Sequence, residues 1–265
     1  MPTTDWPFLD SNFPLAFAHR GVHLNAGENS TRSFEAAVNL GFKYIESDVR
    51  ATADRQLIMC HDKNASRLFG LAARISDLTL RELQSSPFVR AGGTDVPLLE
   101  DVLAAFPDLR FNLDVKDMLS ALRISDIVQS TNSYDRVCIA SFSTARIRCV
   151  RARIARPTCT SASIAEVMHF IARPRSFADR AQPAVLQVPL SIKGISVLSG
   201  KFIASAHDAG LPVHVWTLND VFSIRKAVAL GADGIISDEP VLLRSELMLR
   251  GLWPPDPPDT GNGGR

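Results

Sequence analysis

The sequence predicts an α/β fold, a (β/α)₈ barrel that is somewhat distorted, and two patterns lead to it. Short apolar runs alternate with amphipathic helical stretches along roughly 250 residues, as in barrels of this kind. Several of these runs end in ionisable residues, the position at which a (β/α)₈ barrel carries its chemistry. The alternative, an open doubly wound sheet, normally has a Gly-x-Gly-x-x-Gly loop after its first strand, and that motif is absent from the sequence.

Length and composition limit the classes of function. A chain of 265 residues with 46% hydrophobic residues can build one large α/β domain or two small ones. Its formal charge of +1 argues against attraction to nucleic acid or to anionic membranes. Four cysteines without Cys-x-x-Cys spacing, no signal-peptide pattern and no apolar run of about 18 residues predict a cytoplasmic protein without a transmembrane segment.

The strands and helices follow one another in a regular order. An irregular arm is predicted at 1–14, the barrel domain at 15–253 and a disordered tail, rich in proline and glycine, at 254–265. The eight predicted strands are apolar and short: 15–18, 44–50, 111–115, 137–140, 158–160, 184–188, 212–216 and 234–236. Seven helices are predicted between them, four of which have a capping residue or a terminal glycine: 31–40, 98–106, 118–130, 144–152, 164–171, 201–209 and 221–230.

Residues 63–97 interrupt this regular order. They are polar and mixed, with a short helix predicted at 76–83 and a turn at 91–94. We interpret the segment as a small insertion after the second strand. Its position beside the strand ends makes it the expected lid and the expected source of substrate selectivity.

The segment from Tyr44 to Asp62 contains paired carboxylates within apolar sequence. It is predicted to form two short strands joined by a turn at 52–55. Glu46 and Asp48 are two residues apart, so both carboxylates lie on one face of the first strand. Such a pair is costly unless a cation, a proton or a donor offsets the charge. A divalent-metal site and an outward-facing charged edge are the two interpretations of this stretch.

Ionisable residues recur at the predicted ends of other strands. Asp114 and Lys116 repeat the two-residue spacing of Glu46 and Asp48. In a barrel all of these positions meet at one mouth. The predicted mouth contains His19, Arg20, Glu46, Asp48, His61, Asp114, Lys116, Trp216 and Asp238.

Taken together, these groups suit a phosphodiester. Three carboxylates favour one hard divalent ion, Mg²⁺ or Ca²⁺, over zinc, and leave His19 and His61 for proton transfer. Arg20 and Lys116 remain to bind an anion. The charges of three carboxylates, a divalent ion, a phosphodiester and these two cations sum to zero. The arginines of 146–156 are interpreted instead as a solvated helix face.

Seven motifs in order along the chain resemble those of the glycerophosphodiester phosphodiesterase family. They are Ala18-His19-Arg20-Gly21, Glu28-Asn29-Ser30, Glu46-Ser47-Asp48-Val49, His61-Asp62, Asp114-Val115-Lys116, Val215–Asn219 and Gly231–Pro240. The resemblance implies a distorted TIM barrel with a small insertion after the His-Asp segment. It also implies a divalent metal and hydrolysis of a small-molecule glycerophosphodiester to glycerol 3-phosphate and an alcohol.

Position by position, the resemblance assigns roles to eight residues. It implies that His19 and His61 are the acid–base pair, that Glu46, Asp48 and Asp114 bind the metal, and that Arg20 and Lys116 contact phosphate. Trp216 is expected to pack against the substrate. Asp114 is one methylene shorter than the glutamate usual in the family, and Ser30 replaces the usual threonine.

Two other functions stay open at this stage. One is a lysophospholipase D or sphingomyelinase D-like activity, which would need an apolar surface near the mouth. The other is a catalytically silent barrel that serves as a binding module, although both histidines and the acidic pair are present. The resemblance also suggests attack by a neighbouring hydroxyl of the substrate with a cyclic phosphate intermediate, and the sequence does not distinguish this from direct attack by water.

Overall fold

Eight parallel strands form the centre of the fold in a computed structural model that describes residues 6–23, 27–177, 182–192 and 194–254. They are β1 Leu15–His19, β2 Tyr44–Ala51, β3 Arg110–Val115, β4 Val137–Ala140, β5 Cys159–Thr160, β6 Leu186–Pro189, β7 Val213–Trp216 and β8 Gly234–Ser237. Neighbours pair in the order β5-β4-β3-β2-β1-β8-β7-β6. A parallel bridge between Ser161 and Val185 joins the two outer strands. The predicted barrel is therefore confirmed.

Helices follow the strands and cover the sheet. The α-helices are Thr31–Asn39, Ser66–Phe69, Leu80–Gln84, Pro87–Arg90, Leu99–Ala105, Met118–Ser130, Thr144–Arg153, Ile164–Ala172, Gly200–Asp208, Val221–Leu230 and Pro240–Met248. Short 3₁₀ helices lie at Pro7–Leu9, Ile75–Asp77, Tyr134–Arg136 and Pro174–Phe177. The sequence analysis missed the last α-helix, although Pro240 at its first turn is a favourable helix start. Its residues Leu243 and Leu247 are buried in the main core.

The predicted strand pair after the first helix is confirmed. Leu57–Met59 returns antiparallel to β2, with Val49 opposite Met59. The Cys60 amide then donates to the Asp48 carbonyl oxygen at 2.8 Å. This pairing places His61 directly beside the end of β2, at the mouth of the barrel.

Residues 63–97 pack as a small unit with its own apolar cluster. Leu68, Phe69, Ile75 and Leu83 lie in this cluster, which rests on Ile58 of the short antiparallel strand. The prediction of one helix at 76–83 was wrong. Its place is taken by the 3₁₀ turn at 75–77 and the helix at 80–84, because the Thr79 side chain accepts from the Glu82 amide and starts a new helix there.

The N-terminal arm closes the end of the barrel opposite the mouth. Phe8 and Leu9 are buried in an apolar cluster with Phe17 and Tyr44. The Tyr44 hydroxyl donates to the Phe8 carbonyl oxygen at 3.0 Å. The division into arm, domain, lid and tail stays a prediction, and residues 255–265 of the predicted tail lie outside the described residues.

No helix within the described residues is long and apolar enough to cross a membrane. The cytoplasmic location stays a prediction from the sequence.

A buried histidine inside the barrel makes stability depend on pH. The ring of His214 is fully buried and packs against Phe17, with 5.0 Å between ring centroids. Burial lowers the pKa of His214 to about 3 from its ordinary value of 6.5. As the pH falls below the ordinary pKa of 6.5, His214 becomes protonated in the unfolded chain. In the folded chain it stays neutral until the pH approaches about 3. The stabilising contribution is therefore present above that pKa and is lost as the pH falls.

We expect His214→Gln to remove this acid sensitivity. In the wild type, protonation of His214 in the unfolded chain should lower the free energy of unfolding by about 1.4 kcal/mol per unit as the pH falls from about 6 to about 4. Urea unfolding of both proteins across this range measures the difference in slope. Equal slopes in wild type and variant would contradict the expectation.

Candidate active site

All eight residues with predicted roles meet at the mouth of the barrel. They line one cavity of about 190 Å³. The strand register brings them together, since His19 lies beside Glu46 on neighbouring strands and Asp48 lies beside Asp114. The convergence expected from the strand ends is therefore present in the fold. The roles of the individual residues remain proposals.

His19 lies at the end of β1 between two carboxylates. Its Nδ1 bonds to Asp238 Oδ1 after β8, and its Nε2 is 3.4 Å from Glu46 Oε2. Burial lowers the pKa of His19, but Glu46 and the Asp238 hydrogen bond outweigh it and raise the pKa above its ordinary value. Asp238 is itself fixed by Asn219, whose Nδ2 donates to its Oδ2 at 2.8 Å. The Asp238 carboxylate therefore holds the imidazole in one orientation.

His61 has a similar partner on another loop. Its Nδ1 is 2.9 Å from Asp62 Oδ1. The hydrogen bond from Arg67 is the main cause that lowers the pKa of Asp62 to about 2, with a further contribution from His61. Both candidate acid–base residues thus have Nδ1 held by an aspartate, which leaves Nε2 as the nitrogen available for proton transfer.

Asp48 is the carboxylate with the most donors around it. Lys116 Nζ lies 2.8 Å from its Oδ1, Arg20 Nε lies 3.1 Å from its Oδ2, and Asn29 Nδ2 donates to the same oxygen at 3.1 Å. Burial raises the pKa of Asp48, but Lys116 and Arg20 outweigh it and keep the pKa below its ordinary value. Asp48 is therefore a permanent anion at neutral pH.

Glu46 and Asp114 each keep a buried oxygen without a hydrogen-bond partner among the described residues. These oxygens are Glu46 Oε2 and Asp114 Oδ1. Burial raises the pKa of Glu46 to about 8. Burial likewise raises the pKa of Asp114, although Lys116 Nζ lies 2.6 Å from its other oxygen. The neighbouring cations therefore do not fully offset the burial of either carboxylate.

The residues present fit a hard divalent cation in their chemistry. Glu46, Asp48 and Asp114 offer only oxygen, which Mg²⁺ and Ca²⁺ prefer, and two of the three have orphaned buried oxygens. Within the part of the chain that the structure describes, no three metal-ligating side chains are grouped as a ready-made cage. The structure thus brings the predicted ligands to one end of the barrel, with Lys116 sharing Asp48 and Asp114.

The phosphate-binding candidates belong to an ionic network that reaches the insertion. Arg20 Nη1 donates to Glu28 Oε1 at 3.0 Å. Glu28 also accepts from Arg67 Nη2 at 2.6 Å and from Arg67 Nη1 at 3.0 Å. Arg67 Nε donates in turn to Asp62 Oδ2 at 2.6 Å. One insertion arginine therefore links His61, through Asp62, with Arg20, through Glu28.

Sequence reasoning did not assign this bridging role to Arg67. We expect Arg67→Gln to lower kcat about tenfold or more, because small displacements of catalytic groups are costly. Activity measurements on Arg67→Gln, His61→Gln and the double variant test the link to His61. Arg81→Gln is a suitable control, since Arg81 is an exposed arginine in the same insertion. Fully additive losses in the double variant would contradict the link, since coupled residues are not additive.

Two further interactions were absent from the sequence analysis. The Trp216 ring packs against Phe142, with 5.4 Å between ring centroids, and Lys116 Nζ lies 5.9 Å from the centroid of Phe142. Arg146 was wrongly interpreted as part of a solvated face, because its Nη1 donates to the Lys116 carbonyl oxygen. Ser143 was the available signal, since it caps the start of this helix and its side chain accepts from the Arg146 amide.

Comparison with known proteins places these features in a family. A sequence model of the glycerophosphoryl diester phosphodiesterase family matches residues 19–242. The chain belongs to this family. It is a phosphoric diester hydrolase, and the resemblance noted from its motifs is confirmed.

Relatives and a solved structure cover nearly the whole chain. A Mycobacterium tuberculosis protein named probable glycerophosphodiester phosphodiesterase 2 is 32% identical over 95% of this chain and 97% of its own length. A Rattus norvegicus protein named lysophospholipase D GDPD1 is 27% identical over 87% of this chain and 85% of its own. An Oleispira antarctica phosphodiesterase, solved with the product sn-glycerol-3-phosphate, is 20% identical with a TM-score of 0.71 and covers 89% of this chain and 97% of that one.

Proposed function

We propose that the protein hydrolyses glycerophosphodiesters to glycerol 3-phosphate and an alcohol, with a divalent metal ion and with His19 and His61 as the acid–base pair. One observation carries the proposal. Two histidines in one cavity each have Nδ1 held by an aspartate, beside two cations and two buried carboxylate oxygens that accept no hydrogen bond from the described residues. This arrangement supplies proton transfer and anion binding in the same space.

Arg20 and Lys116 bind the phosphate in this proposal. Burial alone would lower the pKa of Lys116, but Asp48 and Asp114 outweigh it and keep the ammonium charged. The guanidinium of Arg20 has a planar fork that matches phosphate oxygens. These two groups hold the diester between His19 and His61.

In the reaction, a hydroxyl oxygen bonds to phosphorus and the bond from phosphorus to the head-group oxygen breaks. One histidine Nε2 takes the proton of the attacking hydroxyl, and the other Nε2 gives a proton to the departing alkoxide. The attacking hydroxyl belongs to water or to the substrate's own glycerol. In the second case a cyclic phosphate forms first and water then opens it.

The metal would be held by Glu46, Asp48 and Asp114. When bound, it supplies Lewis-acid stabilisation of negative charge on the phosphate oxygens.

The proposal is tested with purified protein and a panel of phosphodiesters. The panel contains several glycerophosphodiesters, a lysophospholipid and bis(p-nitrophenyl) phosphate, each with and without Mg²⁺ or Ca²⁺. Release of glycerol 3-phosphate from the glycerophosphodiesters, dependent on the metal, is expected. Turnover of none of the panel would instead favour the silent binding barrel, and cleavage of the lysophospholipid alone would favour a lysophospholipase D-like enzyme.

A further inference from the structure

An exposed apolar groove opens beside the catalytic cavity. It has a volume of about 220 Å³ and is lined almost wholly by apolar side chains. Five of them, Phe142, Ile164, Met168, Ile171 and Ile192, are between 47% and 58% exposed. Exposed apolar surface gathered in one concave patch marks a binding site more often than scattered single residues do.

One helix contributes an apolar stripe to this groove. Ile164, Met168 and Ile171 lie on the helix Ile164–Ala172 at spacings of four and three residues, so they share one face. A stripe with this spacing normally packs into a core, yet these side chains face solvent along the groove. The stripe is therefore available to an apolar ligand.

The groove is continuous with the catalytic cavity. Phe142, Ala162, Gln187 and Trp216 line both. The charged groups of the cavity come from the ends of β1, β2 and β3 and from His61 after the strand Leu57–Met59, whereas the groove is built by the segments that follow β4, β5 and β6 and by the end of β7. The mouth thus has a charged half for a phosphate and an apolar half for a hydrocarbon.

We propose that this groove is an acyl-chain subsite and that the substrate class is the monoacyl glycerophosphodiester, a lysophospholipid. The inference rests on the proposed function, because the same bond from phosphorus to the head-group oxygen is broken. Water supplies the hydroxyl that bonds to phosphorus, the head-group alcohol leaves with a proton, and a lysophosphatidic acid is the other product. The acyl chain stays on the glycerol and lies against Trp216 and Met168.

The position of the groove argues against other occupants. A protein partner seated there would cover Phe142 and Trp216 and close the catalytic cavity. The C-terminal segment of this chain begins after Pro254, which lines a different cavity with Leu15 and Tyr44 at the starts of their strands. That cavity lies at the opposite end of the barrel from the mouth.

Matched variants and paired substrates test the proposal. The pair is glycerophosphocholine and a series of 1-acyl lysophosphatidylcholines with short chains, kept below their micelle concentrations. For the wild type, kcat/KM should rise with chain length, by up to about fourfold per buried methylene. Met168→Glu should lower kcat/KM for the lysolipids about tenfold or more and leave glycerophosphocholine unchanged. Met248→Glu, an exposed methionine outside the groove, should change neither.

Failure of this inference is distinguishable from failure of the proposed function. Equal turnover of all chain lengths, or an equal loss on both substrates in Met168→Glu, would overturn the acyl subsite and leave the hydrolase intact. If no substrate is turned over, the proposed function fails. Calorimetric binding of dodecylphosphocholine then tests whether the groove binds an acyl chain. Binding that Met168→Glu weakens and Met248→Glu does not would support the subsite, and absent or unchanged binding would overturn it.

Discussion

Replacing His19 by glutamine should lower kcat for glycerophosphodiester hydrolysis by roughly 10²- to 10⁴-fold, and His61→Gln should do the same. Both losses follow from removing a group that carries a proton in the transition state. Glutamine keeps much of the side chain's size and polarity, so the fold should remain. Steady-state kinetics with glycerophosphocholine, together with thermal unfolding of each variant, measure the two effects separately.

His207→Gln is the matched control. His207 also pairs with an aspartate, with its Nε2 2.7 Å from Asp233 Oδ2, but it lies outside the catalytic cavity. It should retain activity close to that of the wild type. Near-normal kcat in His19→Gln or in His61→Gln would refute the paired-histidine mechanism.

Chelation should have the second large effect. EDTA is expected to abolish turnover, and Mg²⁺ or Ca²⁺ should restore it, because the metal would supply the Lewis acid at the phosphate. Binding to the folded state alone should also raise the midpoint of thermal unfolding of the metal-free protein. Activity after extended dialysis against EDTA and thermal unfolding at increasing metal concentration are the two measurements.

Glu46→Gln separates a specific site from general metal effects. The variant replaces one proposed ligand, a carboxyl group whose pKa is already raised by burial, with a neutral amide. It should therefore weaken the metal-dependent shift in the unfolding midpoint without abolishing folding. Glu100→Gln, an exposed glutamate on the helix Leu99–Ala105, should leave the shift unchanged. Turnover that persists in full after EDTA would refute the metal assignment.

The sequence was sufficient to predict the elements that bear the site. Glu46 and Asp48 share a face because strand side chains alternate, and Asp114 repeats the position on a strand that pairs with β2. Local patterns of this kind depend on residues close together in the chain. The barrel itself followed from the repeated alternation of strands and helices.

Contacts between distant parts of the chain were not predictable from local patterns. Asp238 is 219 residues from His19, and only the closure of β8 onto β1 brings them together. Arg67 likewise joins Glu28 to Asp62 through the fold of the insertion. The helix Ile164–Ala172 was predicted, but its periodicity does not reveal that Met168 faces a groove at the mouth instead of the core.

The most direct test of the account compares leaving groups in the two histidine variants. Wild type, His19→Gln and His61→Gln are assayed with glycerophosphocholine and with the p-nitrophenyl ester of glycerol phosphate, whose phenoxide departs without a proton. If the histidines divide the two proton transfers, one variant should recover most of its activity with the p-nitrophenyl ester, and the other should remain impaired. Equal impairment of both variants on both substrates, or recovery of both, would contradict a paired acid and base.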